Sequence, residues 1–356
     1  MVMDSRMSIS HRLALACLAL ALPIAVLSWF MDSSFRYDIA IGRTELAGTA
    51  FMRRAFDVMR LVTEHRVLRL RAAAGDTESA ALLAQTSERT YEAFKAFRTA
   101  HDTFREALRL APDDLIPDQE QAREHRELHS SWRDIRNGDD GYATLLRELA
   151  SLMAMVEERS LVALDPVLDS YSLGRATVGP LPTLLMRVSN IEAMAAAHME
   201  SPRIMRSLGD DRDSLSADLT LLRDKELAEV ERHSRTALRE DPFFYTRIPA
   251  MEDLFRPALE TLLHASGDLL ALLELLREED VPARDLMAAA HVMRTAGHHL
   301  LDIGLDAMDA MVRARIASYQ RWRLMGASFS GAAVLAALLV LVVTARRPAR
   351  PKRDLI

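Results

Sequence analysis

Residues 286–344 read LMAAAHVMRTAGHHLLDIGLDAMDAMVRARIASYQRWRLMGASFSGAAVLAALLVLVVT, and no proline interrupts them. From Leu286 to Ser318, apolar or small residues recur in alternating steps of four and three, a spacing typical of the seam of a supercoiled bundle helix. Residues 324–343 carry no charge, and about 20 residues at about 1.5 Å each cover the roughly 30 Å hydrocarbon core of a membrane. We therefore predict one helix that begins in a bundle and ends as a transmembrane segment at residues 324–344.

The composition favours an all-α protein. The chain has 356 residues, of which 49% are hydrophobic, 27% charged and only 6% aromatic, as expected for a large helical bundle. A net charge of −6 gives no electrostatic footprint for nucleic-acid binding. The single cysteine, Cys17, lies in an apolar run and has no partner for a disulfide within the chain.

A second apolar run lies near the N-terminus. Residues 13–30 are eighteen uncharged residues, preceded by Arg6 and Arg12 and closed by Trp29 and Phe30, as at a membrane interface. A cleaved signal peptide is the alternative interpretation. We favour an uncleaved transmembrane helix, because the run is longer than the apolar region of a usual signal peptide and no small-x-small cleavage site follows it.

Basic residues beside the two runs predict the orientation. The segment 345–356 contains five arginines and lysines and is expected to stay in the cytoplasm. Arg6 and Arg12 place residues 1–12 there too. Residues 31–323 would then lie outside, in the periplasm if the membrane is a bacterial inner membrane. The predicted architecture is a long periplasmic helical bundle of two stacked four-helix modules, flanked by two transmembrane helices.

Two charged residues fall on the apolar seam of the first helix. This helix is expected to continue from the first span until Gly75 and Asp76 end it, with Thr77 capping the next helix. Its seam includes Glu45 and Arg66. Since a buried charge needs a partner or a ligand, these residues either pair across the bundle or at its rim, or they bind a ligand.

A short motif lies in the middle of the chain. Residues 160–173 read SLVALDPVLDSYSL, and Leu181-Pro182 follows them. This sequence resembles a motif of the all-helical extracytoplasmic sensor modules of bacterial transmembrane receptors, which include methyl-accepting chemotaxis receptors, sensor histidine kinases and diguanylate cyclases. In the first helix, Glu45 with Gly48, and His65 with Arg66, fit the pattern of the same family.

The resemblance covers most of residues 31–323 and implies a sensor module. Two positions depart from the family's pattern: Val167 stands where an acidic residue is usual, and Ser172 where a second tyrosine is usual. Because only residues 344–356 follow the second span, we expect the output domain to have been lost or to reside on another chain, or the protein to modulate a partner receptor.

The motif also has a purely structural interpretation. Asp165 before Pro166 favours an extended or turn conformation and ends one helix, while Asp169 and Ser170 can cap the next one. A corner between two helices and a ligand-binding site that includes Tyr171 are both compatible with these residues.

Arginines on the first helix are candidates for binding a small carboxylate or oxyanion through bidentate hydrogen bonds. An ordinary charged face explains most of them, but Arg66 lies on the seam. The candidate ligand-binding residues are Arg66, Glu45, Arg54, Asp165, Asp169 and Tyr171.

Histidines provide weaker candidates for a metal site. His125 and His129 are four residues apart, so two imidazoles can share one helix face. A second cluster comprises His291, His298 and His299. Solvated or hydrogen-bonded histidines are the alternative. No cofactor is expected, and the absence of a phosphate loop, a nucleophile elbow, an HExxH motif and a kinase signature argues against an enzyme.

These observations predict the sensory part of a two-pass inner-membrane receptor, which relays a periplasmic stimulus by helix movement. We expect a homodimer, because small residues four apart in the second span, such as Ala327 and Gly331, let helices approach closely. The alternative is a membrane-anchored scaffold or modulator with no small-molecule ligand.

Overall fold

The computed structural model describes residues 9–110, 125–138, 140–162, 167–198, 219–243, 248–276 and 281–345. Within these residues every regular element is a helix, which confirms the all-α prediction. The α-helices in chain order are α1 (Ile9–Ala73), α2 (Thr77–Phe104), α3 (His125–Arg136), α4 (Tyr142–Arg159), α5 (Leu168–Thr177), α6 (Pro180–Ala197), α7 (Ala228–Glu240), α8 (Arg256–Leu275) and α9 (Ala283–Ala345). π-helical turns at Leu222–Leu227 and Met251–Phe255 precede α7 and α8, and a 3₁₀ turn at Asp241–Phe243 follows α7.

The chain divides into two units. The bundle is Arg43–Ala314, and the other unit consists of Met1–Gly42 and Arg315–Ile356. Helices α1 and α9 contribute to both units. One hydrophobic cluster in the bundle includes side chains from α1 to α9, and α5 packs along α7. The division of the bundle into two stacked modules stays a prediction.

The predicted seams of the two longest helices form much of this core. Leu286, Met293 and Leu300 on α9 are buried, as are Met52 and Val62 on α1. Burial of a side chain of this size contributes roughly 1.5–3 kcal/mol. The alternation of steps of four and three therefore identified the buried faces correctly.

Two glycines on these seams let neighbouring helices approach closely. A Cβ atom on Gly48 of α1 would overlap the side chain of Ser160, at the end of α4, with the Ser160 Oγ only 2.6 Å away. A Cβ atom on Gly304 of α9 would lie 2.6 Å from the Thr177 Oγ1 of α5. Both positions require glycine because there is no room for a side chain.

Asp76, rather than Thr77, caps α2. Gly75 has a φ of 88°, which ends the preceding turn in the left-handed conformation that glycine tolerates. The Asp76 carboxylate then accepts the backbone N–H groups of Glu78 at 3.1 Å and Ser79 at 3.3 Å. Our prediction of Thr77 was wrong by one residue, because Thr77 is already the first helical residue.

The predicted caps of α5 were also wrong. This helix begins at Leu168, and its N-cap residue, Val167, makes no side-chain capping bond. Asp169 and Ser170 thus lie within the first turn. Asp169 still accepts the backbone N–H of Ser170 at 2.6 Å, so it satisfies one of the free amides of the helix end.

In the other unit, α1 and α9 are antiparallel neighbours. The Oγ atoms of Ser28 and Ser330 lie 2.5 Å apart, and the Arg323 Nε donates to Asp32 at 2.5 Å. Large apolar side chains point outward on both helices, with exposed fractions of 61% for Phe30 and 77% for Phe329.

In the described residues, α9 is the one helix long and apolar enough to cross a membrane, and its apolar window, within Ala283–Val340, has no residue buried inside the structure. This agrees with the predicted second span. The first span, residues 13–30, stays a prediction, since the side chains of residues 13–18 and 20 lie outside the described part.

Replacing Gly48 by alanine tests the close contact between α1 and α4. The added methyl group overlaps Ser160, so we expect Gly48→Ala to lower the free energy of unfolding by about 1–3 kcal/mol, measured by urea titration followed by circular dichroism. Gly267→Ala on α8 is the matched control, because a Cβ atom there meets nothing within 4 Å. Adding Ser160→Gly should restore much of the loss. Equal stability of Gly48→Ala and the wild type would contradict the contact.

Candidate functional site

A cavity of about 470 Å³ lies in the bundle beside α1, α2, α6 and α9. Its volume is within the range of small-molecule sites. Most of its wall comes from α1 and α9. The charged residues that line it are Arg60, Glu64, Arg71, Glu192, Arg294 and Asp302, and His291, His298 and His299 complete the polar part of the lining.

An ion pair between α6 and α9 forms the innermost wall. The Arg294 guanidinium donates from Nε to Glu192 Oε2 at 2.5 Å and from Nη2 to Oε1 at 3.3 Å. The side chains of Glu192 and Arg294 are 2% and 7% exposed. His291 Nδ1 donates to the same carboxylate at 3.0 Å. Burial alone would raise the pKa of Glu192, but the hydrogen bonds from His291 and Arg294 outweigh it, so the pKa of this carboxyl lies below its ordinary value.

Arg60 links α1 to α9 at the outer side of the cavity. It donates to Asp302 on α9 at 3.3 Å and to Asp57 on its own helix at 3.0 Å. Burial raises the pKa of Asp302, although the charge of Arg60 opposes this shift. Arg71 is held in a similar way by Asp76, at 2.6 Å. The arginines that line the cavity are therefore oriented by carboxylates.

His298 is the buried polar group of this wall that lacks a hydrogen bond. The residue is 7% exposed, and its Nε2 atom has no hydrogen-bond partner in the described part of the protein. Burial and the charges of Arg294 and Arg60 lower the pKa of His298 to about 3. The imidazole is therefore neutral at physiological pH. A buried group without a partner costs free energy, about 1–3 kcal/mol, and such a group calls for an explanation.

The charges of the lining cancel. The lining contains three arginines and three carboxylates, so its net charge depends on how many of the three histidines are protonated. With all three histidines neutral the lining is neutral, and each protonated histidine adds one positive charge. Within the part of the chain that the structure describes, the hydrogen bonds of Arg294 to Glu192 involve Nε and Nη2, which leaves its Nη1 as a donor for a ligand.

Of the ligand-binding residues predicted from the sequence, those that the structure describes do not line the cavity. Arg66 donates to Asn190 of α6 at 2.7 Å. Arg54 is half exposed and pairs with Asp57 at 3.3 Å. Glu45 is fully buried one turn before Gly48.

The motif residues of α5 also lie outside the cavity lining. Asp169 is buried and Tyr171 is half-buried. Asp165 lies outside the described residues. Whether any of these residues binds a ligand stays a prediction.

The two histidine clusters have different surroundings. His129 lies against the rings of Tyr91 and Phe94, with ring centroids 5.5 and 5.8 Å away, and the side chain of His125 is outside the described part. The other cluster lines the cavity with all three histidines. In the described residues, no group of three or more histidine, cysteine, aspartate or glutamate side chains is placed to hold a metal ion.

His65 of the resemblance motif has a structural role. Its Nδ1 atom lies 2.6 Å from the hydroxyl group of Tyr142, and its ring packs edge-on against Trp132 with centroids 4.8 Å apart. Burial, and then the charge of Arg69, lower the pKa of His65 to about 4. This residue ties α1 to α3 and α4.

The cavity could have been found from a sequence signal that we interpreted separately on each helix, as weak metal candidates for the histidines of α9 and as a charged face for most arginines of α1. On α9, polar residues recur at helical spacing beside the apolar seam, namely His291, Arg294, Thr295, His298 and Asp302. On α1, Arg60, Glu64 and Arg71 do the same. Two polar stripes on helices that pack together predict a polar space between them.

Compared with known proteins, the chain matches no family model, and neither a curated protein nor a solved structure shows significant similarity to it.

The ion pair between Glu192 and Arg294 can be tested by a double-mutant cycle. Glu192→Leu leaves a buried guanidinium without its carboxylate, so we expect a loss of about 3–5 kcal/mol in the free energy of unfolding. The double variant Glu192→Leu/Arg294→Met removes both charges and should recover most of this loss. Urea titration provides the measurement.

Glu231→Gln is the control for this cycle. It changes an exposed pair with Arg235, and should alter stability by less than about 0.5 kcal/mol. A single Glu192→Leu variant as stable as the wild type would rule out the buried pair.

Proposed function

We propose that this chain is the sensory module of a transmembrane receptor, and that the cavity beside α1 and α9 is its ligand site. The proposal rests on which helices contribute the residues that line the cavity. Its polar groups come mainly from α1 and α9, and α9 is also the helix with the candidate membrane span. A molecule in the cavity therefore contacts the helices whose movement would carry a signal.

Weak polar contacts join these two helices within the bundle. Besides the pair of Arg60 with Asp302, Arg53 lies 2.8 Å from Asp306, and the buried Thr49 donates to Asp309 at 2.5 Å. The two ion pairs are partly exposed and contribute little, about 0–1 kcal/mol each. A ligand that competes for Arg60 can therefore change the packing of α1 against α9 at low cost, which is the differential interaction that a switch requires.

The ligand that fits best is a small anion, either a carboxylate or an inorganic oxyanion. A guanidinium presents its N–H donors in a fork that matches these groups. Arg294 lines the cavity, and within the described residues its hydrogen bonds to Glu192 involve Nε and Nη2. Its Nη1 group is the donor that an anion at the inner end of the cavity would meet.

The remaining features of the proposal are those predicted from the sequence. The protein would be a two-pass protein of a bacterial inner membrane, with residues 31–323 in the periplasm as two stacked modules and both ends in the cytoplasm. It would act as a homodimer and pass its signal to an output protein on a separate chain. It would not be an enzyme.

A membrane-anchored scaffold is the second candidate, and the charge balance of the cavity favours it. Arg60, Arg71 and Arg294 each already have a carboxylate partner. A network of this kind can hold helices together without any ligand.

Thermal unfolding of the full chain in detergent distinguishes the two candidates. We expect sulfate, phosphate, acetate or succinate to raise the unfolding temperature, since a ligand at one hundred times its Kd stabilises by about 2.7 kcal/mol. Arg60→Ala should abolish the shift. Arg54→Ala is the matched control, because Arg54 also pairs with Asp57 but does not line the cavity.

Two other outcomes would change the conclusion. Loss of the shift in Arg66→Ala, with the shift kept in Arg60→Ala, would move the site to the residue predicted from the seam of α1. No shift with any anion would favour the scaffold.

The orientation can be tested by cysteine labelling in a Cys17→Ser background. In spheroplasts, a membrane-impermeant maleimide should label Glu88→Cys, an exposed position on α2. It should label Arg350→Cys, in the basic tail, only after lysis. Labelling of Arg350→Cys in intact spheroplasts, with Glu88→Cys protected, would place the bundle in the cytoplasm.

A further inference from the structure

The ion pair of Arg60 and Asp302 presents two opposite charges to the same cavity. Nη1 of Arg60 donates to Oδ2 of Asp302 at 3.3 Å, and their side chains are 35% and 49% exposed. Both residues line the cavity, and neither side chain is buried, so a ligand can reach both charges. A long, partly exposed pair of this kind contributes little to stability and is easily replaced.

An anion can replace only one partner of this pair. A carboxylate or oxyanion that takes the guanidinium of Arg60 leaves Asp302 without that donor. Partial burial already raises the pKa of Asp302, although the charge of Arg60 opposes this shift, so the ionised carboxylate would be poorly compensated. A ligand that also carries an ammonium group replaces both partners, because its negative end can pair with Arg60 and its positive end with Asp302.

Glu64 provides a second acceptor for an ammonium group in the same lining. It lies one turn after Arg60 on α1, so the two side chains share a helix face. Its side chain is 30% exposed, and the hydrogen bond that it accepts from Arg89 is long, at 3.4 Å. The carboxylate of Glu64 is therefore accessible to a ligand.

The net charge of the lining also favours a ligand that carries both signs. The lining contains three arginines and three carboxylates. With its histidines neutral, a bound anion would leave the site with an excess negative charge, whereas a zwitterion would leave it neutral.

An apolar patch lies next to these charges. It consists of Val67 and Leu68 on α1 and Leu82 on α2. Leu82 is 40% exposed, so an aliphatic group of a ligand would remove apolar surface from water by covering it. Sulfate or phosphate would gain nothing from this contact.

From this geometry we infer that the cavity binds a zwitterion, namely an amino acid with an aliphatic side chain, whose carboxylate pairs with Arg60 and whose ammonium group pairs with Asp302 and Glu64. The inference rests on the proposed function and narrows its ligand from small anions to amino carboxylates. The direct contact between α1 and α9 at this point is then replaced by a contact through the ligand.

Isothermal titration of the full chain in detergent at pH 7 tests the ligand class. Three probes share one carbon skeleton: leucine, 4-methylpentanoate, which lacks the ammonium group, and 3-methylbutylamine, which lacks the carboxylate. Sulfate is the fourth probe. We expect leucine to bind at least about tenfold more tightly than each of the others, because each of them gives up a charge-assisted hydrogen bond.

Variants assign the ammonium group to its acceptors. Asp302→Asn should weaken leucine and leave the affinity for 4-methylpentanoate equal or higher, since asparagine competes less for Arg60. In Asp302→Asn/Glu64→Gln, the ratio of the two affinities should fall to about one. A comparison of two ligands in the same variant cancels any general change in the stability of the bundle.

Asp306→Asn is the matched control. Asp306 pairs with Arg53 between the same two helices, at 2.8 Å, but it does not line the cavity. This variant should keep the preference for leucine.

The outcomes separate the ligand class from the site itself. Binding of 4-methylpentanoate or sulfate as tight as that of leucine, or tighter, overturns the zwitterion and leaves the proposed anion site standing. A preference for leucine that persists in Asp302→Asn/Glu64→Gln overturns the roles of these two carboxylates. No binding of any of the four probes overturns the ligand site and the inference together.

Discussion

The buried contact between the carboxylate of Glu192 and the guanidinium of Arg294 determines how α6 and α9 can pack. Removing either ion from water costs several kcal/mol, and only a well-aligned partner repays it. A shift of α9 along α6 by one helical turn, about 5.4 Å, would leave both ions buried and separated. The pair therefore holds these helices in register, and His291 donates to the Oε1 atom of the same carboxylate.

The cavity is a consequence of this polar wall. Side chains that carry charge keep their hydrogen-bonding geometry, and they cannot interdigitate as leucines do in the seams of α1 and α9. Stability therefore comes from the apolar seams, where Gly48 and Gly304 bring helices close together. The polar contacts between α6 and α9 fix the register of these helices and leave the cavity beside them. The exposed pairs between α1 and α9, such as Arg60 with Asp302, are weak enough to rearrange without unfolding the bundle.

The sequence revealed the fold much better than the site. Helical periodicity identified the buried residues Met52 and Leu300 because apolar side chains are sorted by one rule, their removal from water. Charged side chains have no such rule: Arg60 at the cavity and Arg54 beside it have the same chemistry and nearly the same neighbours in the chain. Only the approach of α6 and α9 distinguishes them, and that approach depends on contacts between residues more than one hundred positions apart, such as Glu192 and Arg294.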